Sequence, residues 1–284
     1  MRKYWLAAMA FVAVSSAHAA DMPDFSALRG SYGPPVRRTW DGWYVGAEAG
    51  YQSADMAFSK SVTAPAAFIF RNSVLAAPTA DWTVLGPGHA QGSGYGGFVG
   101  RNWQFEDVVL GVEANYTYLN SLSNSTSNSI ERLIVNPTGE NPPAGHTHIY
   151  DTTVTGGAGM VIKDVTTFRG RVGWAAGDFM PYAVAGVAIG RMVPSRYVTA
   201  TYQLTDQWTD PSGILQTTVS DPVSQSITES RQSFVPGWTA GLGLEYRMWG
   251  GLFLRGEWNY TSFTSVKDTY VQLNAVHGGI GYKF

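Results

Sequence analysis

The chain has 284 residues, no cysteine, 33 glycines, 13% aromatics and only 14% charged side chains. The missing cysteine excludes disulfides, cysteine nucleophiles and cysteine-ligated zinc or iron–sulfur centres. A net charge of −2 leaves no basic excess to neutralise phosphates, so no nucleic-acid partner is expected.

Residues 1–19 have the pattern of a secretory signal. Arg2 and Lys3 form a positive end, and Trp5 to Val14 an apolar stretch too short to span a bilayer. Ala17-His18-Ala19 then supplies a small-x-small cleavage pattern, with cleavage after Ala20 as the alternative. Residues 20–40, containing Pro23, Gly30, Gly33, Pro34 and Pro35, follow no period and are expected to form a periplasmic Pro/Gly linker. A barrel domain is expected over 41–284. No later segment offers the ~20 apolar residues of a membrane-spanning helix.

From Trp43 onward the chain alternates at period 2, the mark of strands with two unlike faces. In 43–52, Trp43, Val45, Ala47, Ala49 and Tyr51 oppose Tyr44, Gly46, Glu48, Gly50 and Gln52. The segment 93–104 is a strand whose faces are harder to separate. In 108–119, Val108, Leu110, Val112, Ala114, Tyr116 and Tyr118 oppose Gly111, Glu113, Asn115 and Thr117. In 165–176, Phe168, Val172 and Trp174 oppose Thr167, Arg169, Arg171 and Gly173. The segment 181–191 is again ambiguous in facing. Then Trp238, Ala240, Leu242, Leu244 and Tyr246 oppose Thr239, Gly241, Gly243, Glu245 and Arg247. Next, Leu252, Leu254, Trp258 and Tyr260 oppose Arg255, Glu257, Asn259 and Thr261. A last segment over 270–284 makes eight.

Short connections at 105–107, 177–180 and 248–251 fall at one end of such a meander. Long ones at 54–92, 120–164 and 192–236 fall at the other, with a short one at 263–269. Eight strands of ~9–11 residues with this asymmetry describe an all-β, eight-stranded antiparallel up-and-down transmembrane β-barrel with three long extracellular loops. A soluble eight-stranded barrel would turn its apolar face inward instead. The sparse, balanced charge of the polar faces favours an enclosed polar interior. So does the alternation of Ile280, Tyr282 and Phe284, which resembles the terminal signal read by the outer-membrane barrel assembly machinery.

Several short stretches carry a family resemblance: Trp40-Asp41-Gly42-Trp43-Tyr44-Val45-Gly46, Gly111-Val112-Glu113, Arg169-Gly170-Arg171-Val172-Gly173, Pro181-Tyr182 with Gly186-Val187-Ala188, Gly241-Leu242-Gly243-Leu244-Glu245-Tyr246, and Gly281-Tyr282-Lys283-Phe284. In this order the chain resembles the small eight-stranded outer-membrane surface antigens of alphaproteobacteria, the porin-family or outer-membrane immunogenic proteins. Arg101 departs from the pattern, which leads one to expect tyrosine there. The resemblance implies an integral protein of the outer membrane, exported through a cleaved signal. Its partners would be outer-membrane lipid and lipopolysaccharide, the barrel assembly machinery and an unidentified extracellular partner of the loops.

The inward set near mid-strand is Glu48, Glu113, Arg169, Arg171, Glu245, Arg255 and Glu257, with His277 close by. An eight-stranded barrel has room inside only for its own side chains, and charges there must be paired. A hairpin turning at 248–251 places Glu245 opposite Arg255. These residues are expected to form a polar network that closes the lumen, with a narrow ion path as the alternative. Inward glycines such as Gly46, Gly111 and Gly243 are expected to make room for the Arg and Glu chains.

Gly92-Ser93-Gly94-Tyr95-Gly96-Gly97 matches G-x-G-x-x-G but opens a strand, where a dinucleotide turn needs a strand before it and a helix after. His146-Thr147-His148, beside Pro142, Pro143 and Gly145, is taken as exposed loop. No catalytic set converges at a barrel rim, and no cofactor or metal is indicated. The expected role is structural and at the surface: antigen, adhesion or envelope integrity. The alternatives are a small porin-like channel and capture of a ligand by the loops, for which the resemblance suggests haem as an example.

Overall fold

Alternating apolar and polar residues satisfy an extended chain that meets water or lipid on one face and is packed on the other. The computed structural model describes residues 39–284, which fold accordingly into ten strands and two short helices. In chain order these are β1 (Gly42–Ala57), α1 (Thr63–Phe70), α2 (Ala76–Thr79), β2 (Pro87–Phe105), β3 (Val108–Val135), β4 (His146–Trp174), β5 (Phe179–Thr209), β6 (Leu215–Val219), β7 (Val223–Ser230), β8 (Ser233–Arg247), β9 (Leu252–Phe263) and β10 (Tyr270–Lys283). The expected signal over 1–19 and nearly all of the 20–40 linker lie outside the described residues.

Eight of the strands close a barrel. β1 to β5 pair in sequence, β5 pairs with β8, β8 with β9, β9 with β10, and β10 returns to β1. All neighbours are antiparallel, so no edge is left open in the wall. The last strand seals the seam: Tyr282 pairs with Val45, and the Phe284 N–H donates to the Trp43 carbonyl.

The apolar face points outward. Val45, Val99, Val112, Phe168, Val187, Leu242, Leu254 and Val276 are all exposed on the outer wall, whereas Glu48, Glu113, Arg169, Arg171, Glu245, Arg255 and Glu257 are buried inside it. Aromatic rings bound this apolar zone. Trp43, Trp103, Trp174 and the Phe179–Tyr246 pair stand near the short turns, and Tyr51, the Tyr95–Tyr118 pair and the Trp238–Tyr260 pair stand toward the other end. Trp43 and Tyr51 are eight positions apart, which after strand tilt gives a band roughly 20–25 Å tall, the height of the apolar belt of outer-membrane barrels.

Two of the three long connections differ from expectation. The segments 120–164 and 192–236 are mostly strand: β3 has 28 residues, β4 29 and β5 31, against the ~9–11 a membrane span requires. Their upper halves pair with each other, and β7 and β6 add to the upper part of β5. The result is a sheet that rises beyond the barrel. Ser/Thr/Asn-rich composition suggested loop, but Thr and the interspersed Val, Ile and Tyr fit a half-buried pleated surface. The third connection, 58–86, carries α1 and α2.

Candidate functional site

The barrel wall delivers inward charged side chains from four strands, β3, β4, β8 and β9, to one level, where they form a belt. Register creates much of it. Glu113 on β3 lies directly across from Arg169 on β4, and Glu245 on β8 directly across from Arg255 on β9. Arg169 donates to Glu113 at 2.5 Å and to Glu257 at 2.6 Å. Arg255 donates to Glu113 at 2.6 Å and to Glu245 at 2.7 Å. Arg171 reaches Glu245 at 2.9 Å and stands 3.6 Å from Glu113. Glu113 thus faces three guanidiniums, and the Tyr44 hydroxyl donates to it as well, at 2.8 Å. Charges so deeply buried persist only with this degree of compensation.

Aromatic rings complete the belt. The Arg255 guanidinium carbon lies 3.7 Å from the Phe98 ring centre, and that of Arg171 4.0 Å from the Tyr182 ring. The Tyr182 hydroxyl donates to Glu257 at 2.6 Å. Arg171 and Arg255 are therefore each held between carboxylate edges and the electron-rich face of a ring.

Glu48 and His277 stand one layer away. Glu48 accepts from Asn115 at 2.8 Å, and His277 Nδ1 lies 3.3 Å from Glu48 Oε1. Here the lumen opens into a cavity of about 40 Å³. The second Glu48 oxygen, both amide atoms of Gln52 and the Thr167 hydroxyl have no hydrogen-bond partner among the described residues, and all three side chains line this cavity. It presents unpartnered polar groups and is large enough to take up water.

Apolar layers lie above and below. Toward the short turns, Trp40, Tyr44, Phe98, Val109, Met180, Tyr182, Val184 and Phe253 pack together, and Arg247 sits 4.2 Å from the Trp40 ring. Toward the other end, the inward faces turn apolar. Met56, Leu119, Leu122, Ile162, Met192, Phe263 and Leu273 join Phe58, Val62, Phe70, Leu75 and Val84 of the 58–86 segment in one buried cluster. That segment is pinned from the side: Arg196 on β5 donates to the Ser61 carbonyl at 2.8 Å while pairing with Glu229 on β7 at 3.0 Å. Lys267 joins Glu229 at 2.8 Å, and together the two cations hold its carboxyl below the usual glutamate range, Lys267 contributing most.

All eight residues expected inside the barrel are buried there, seven of them in or against the belt and its cavity through the contacts above, and His277 beside Glu48. Ile280, Tyr282 and Phe284 face outward at the seam. Sequence reasoning did not single out Tyr44, Tyr182, Asn115, Asn259 or Arg247 for this interior. Tyr44, Asn115, Asn259 and Arg247 were legible as members of the polar alternation; Tyr182 lies on a strand whose two faces both read as apolar. The glycines make room mostly for other groups. A Cβ on Gly46 would meet the Phe98 ring at 2.2 Å and one on Gly243 the Tyr182 ring at 2.3 Å, whereas Gly111 does stand against Arg171.

His146 and His148 are not in an exposed loop: β4 begins at His146. The alternation aligns both with Asp206 across β5. His146 Nδ1 is 2.8 Å from Asp206, His148 Nδ1 is 2.6 Å from Glu140, and His146 stacks on Trp208. The glycine-rich run at 92–97 lies within β2.

A family model described as outer membrane protein beta-barrel domain matches residues 6–284. The sequence is 26% identical to the 31 kDa outer-membrane immunogenic protein of Brucella melitensis over 300 residues, covering all of both chains. It is 26% identical to the 25 kDa outer-membrane immunogenic protein of Brucella ovis over 189 residues, 66% of this chain and 62% of that one. Among solved structures, Neisserial surface protein A (NspA) aligns with 86% of this chain and 97% of its own, at 12% identity and a TM-score of 0.35.

Proposed function

The chain belongs to the outer membrane protein beta-barrel domain family and is integral to the outer membrane; on that premise we propose that its lumen is closed and that it acts at the cell surface through the raised sheet of β3, β4, β5 and β7. One observation carries the closure. The Arg/Glu belt lies between two apolar layers, so a solute crossing the barrel would have to displace the 58–86 segment, break paired buried charges and pass the Trp40–Phe253 cluster. Each of these is costly.

The surface role is supported by where the mass lies. Outer-membrane barrels place short turns in the periplasm and long connections outside, which puts the upper halves of β3, β4 and β5 beyond the cell. The Brucella relatives named immunogenic are consistent with exposure of such a surface. The partner is of protein or glycan type at the level of chemistry the sheet offers: Ser, Thr and Asn side chains, and an upper edge of β3 that pairs with no second strand among the described residues.

The absence of native cysteine makes the test clean. On intact cells, a membrane-impermeant maleimide should label Ser127→Cys on upper β3 and leave Trp249→Cys, in a short turn, unlabelled until the outer membrane is breached. Labelling in the reverse pattern would overturn the surface role.

A further inference from the structure

The outer wall carries an arginine that a purely apolar surface does not need. Along β2, Val99, Arg101 and Trp103 point outward, and Arg101 lies directly across from Trp43 on β1. Its guanidinium carbon is 5.6 Å from the ring centres of both Trp43 and Trp103. No carboxylate among the described residues pairs with it. The contrast is Arg191, toward the opposite rim, which is paired with Asp164.

An arginine facing lipid is strongly unfavourable at mid-membrane and nearly neutral at the interface. Arg101 lies at the level of the aromatic ring near the short turns, where headgroups begin. Beside it the wall is concave. The small outward residues Ala114 and Gly170 leave a groove of about 420 Å³ bounded by Trp43 and Phe168, with the Gly100 backbone in its floor. Past Gly170 a second groove of about 780 Å³ runs over Ala183 and Ala185. One cation, two indoles at interface height and an apolar groove rising from them toward Ala114 and Phe168 make a set with complementary chemistry.

We propose that Arg101, framed by Trp43 and Trp103, binds the phosphate of a phospholipid in the periplasmic leaflet, with an acyl chain lying in the groove over Gly100, Ala114 and Gly170. The guanidinium matches a phosphate in geometry as well as charge. The groove is apolar and faces the bilayer, which makes lipid its occupant.

Native mass spectrometry of the detergent-purified barrel tests this, with phosphatidylglycerol and, separately, diacylglycerol added. The wild type should retain phosphatidylglycerol. Arg101→Gln and Arg101→Tyr should each lower retention roughly tenfold or more, the loss of one charged hydrogen-bonding partner, while Arg191→Gln leaves it unchanged. Heat-dependent gel mobility identifies folded variants, and the tyrosine variant keeps an interface residue at the site. Equal retention by either folded Arg101 variant, or diacylglycerol held as well as phosphatidylglycerol, would overturn the proposal.

Discussion

Glu113 on β3 and Arg169 on β4 are cross-strand partners whose side chains meet at 2.5 Å in the middle of the barrel. Register and ion pair enforce one another. Slipping either strand by one residue would turn a charge out into lipid and leave its partner buried alone. The belt therefore specifies pairing as well as filling space.

Removing the centre of that belt should be severe. Glu113→Gln leaves Arg169 and Arg255 each short of a carboxylate, and we expect a loss of about 3–5 kcal/mol. Tyr44→Phe, which removes one hydrogen bond to Glu113, should cost about 1.5–3 kcal/mol. Urea unfolding in detergent micelles, followed by tryptophan fluorescence, measures both; a Tyr44→Phe effect exceeding that of Glu113→Gln would contradict the ordering.

Space beside Tyr182 is equally constrained. Gly243→Ala places a Cβ 2.3 Å from the Tyr182 ring, pushing it off Glu257. A destabilisation of about 1–3 kcal/mol is expected, read as a lower temperature for the gel-mobility transition. Gly256→Ala on the neighbouring strand meets open space and should leave that temperature unchanged.

The 58–86 segment should be separable from the barrel. Phe70 and Leu75 are fully buried beneath the raised sheet, and Leu75→Asp puts a charge into that apolar layer. Limited proteolysis should then cut within 58–86 while the heat-shifted barrel band persists. Loss of both together would mean that the segment is integral to barrel folding.

The Arg196–Glu229–Lys267 clasp gives a pH dependence. Because the Glu229 carboxyl is held below the usual range, first by Lys267 and then by Arg196, its contribution is present at neutral pH. It is lost only as pH falls below the ordinary glutamate value and through the lowered one. The carboxylate is partly exposed, so the effect is modest. Hydrogen exchange of β7 should be slow at pH 6 and accelerate near pH 3 beyond the intrinsic rate change, and Glu229→Gln should abolish that difference.

Much of the barrel was legible because lipid and lumen impose opposite demands on alternate residues. That signal fixed eight strands and brought Glu245 and Arg255 into register. It weakened where both faces are apolar. On β5, Tyr182 and Val184 point inward while Pro181, Ala183 and Ala185 point outward, and composition does not distinguish them. It also weakened above the membrane, where Leu122, Val154 and Met192 alternate with Ser, Thr and Gly that solvent tolerates. There the strands continue, but turn-like composition masked them. The 58–86 plug was invisible for another reason: its apolar residues find their partners on β4 and β5, far along the chain.

Closure of the lumen is tested most directly by planar-bilayer recording of the refolded wild-type protein. A barrel filled by the belt and its two apolar layers should insert without discrete conductance steps. Stable unitary steps from the wild type, altered in size by Arg169→Gln, would contradict it.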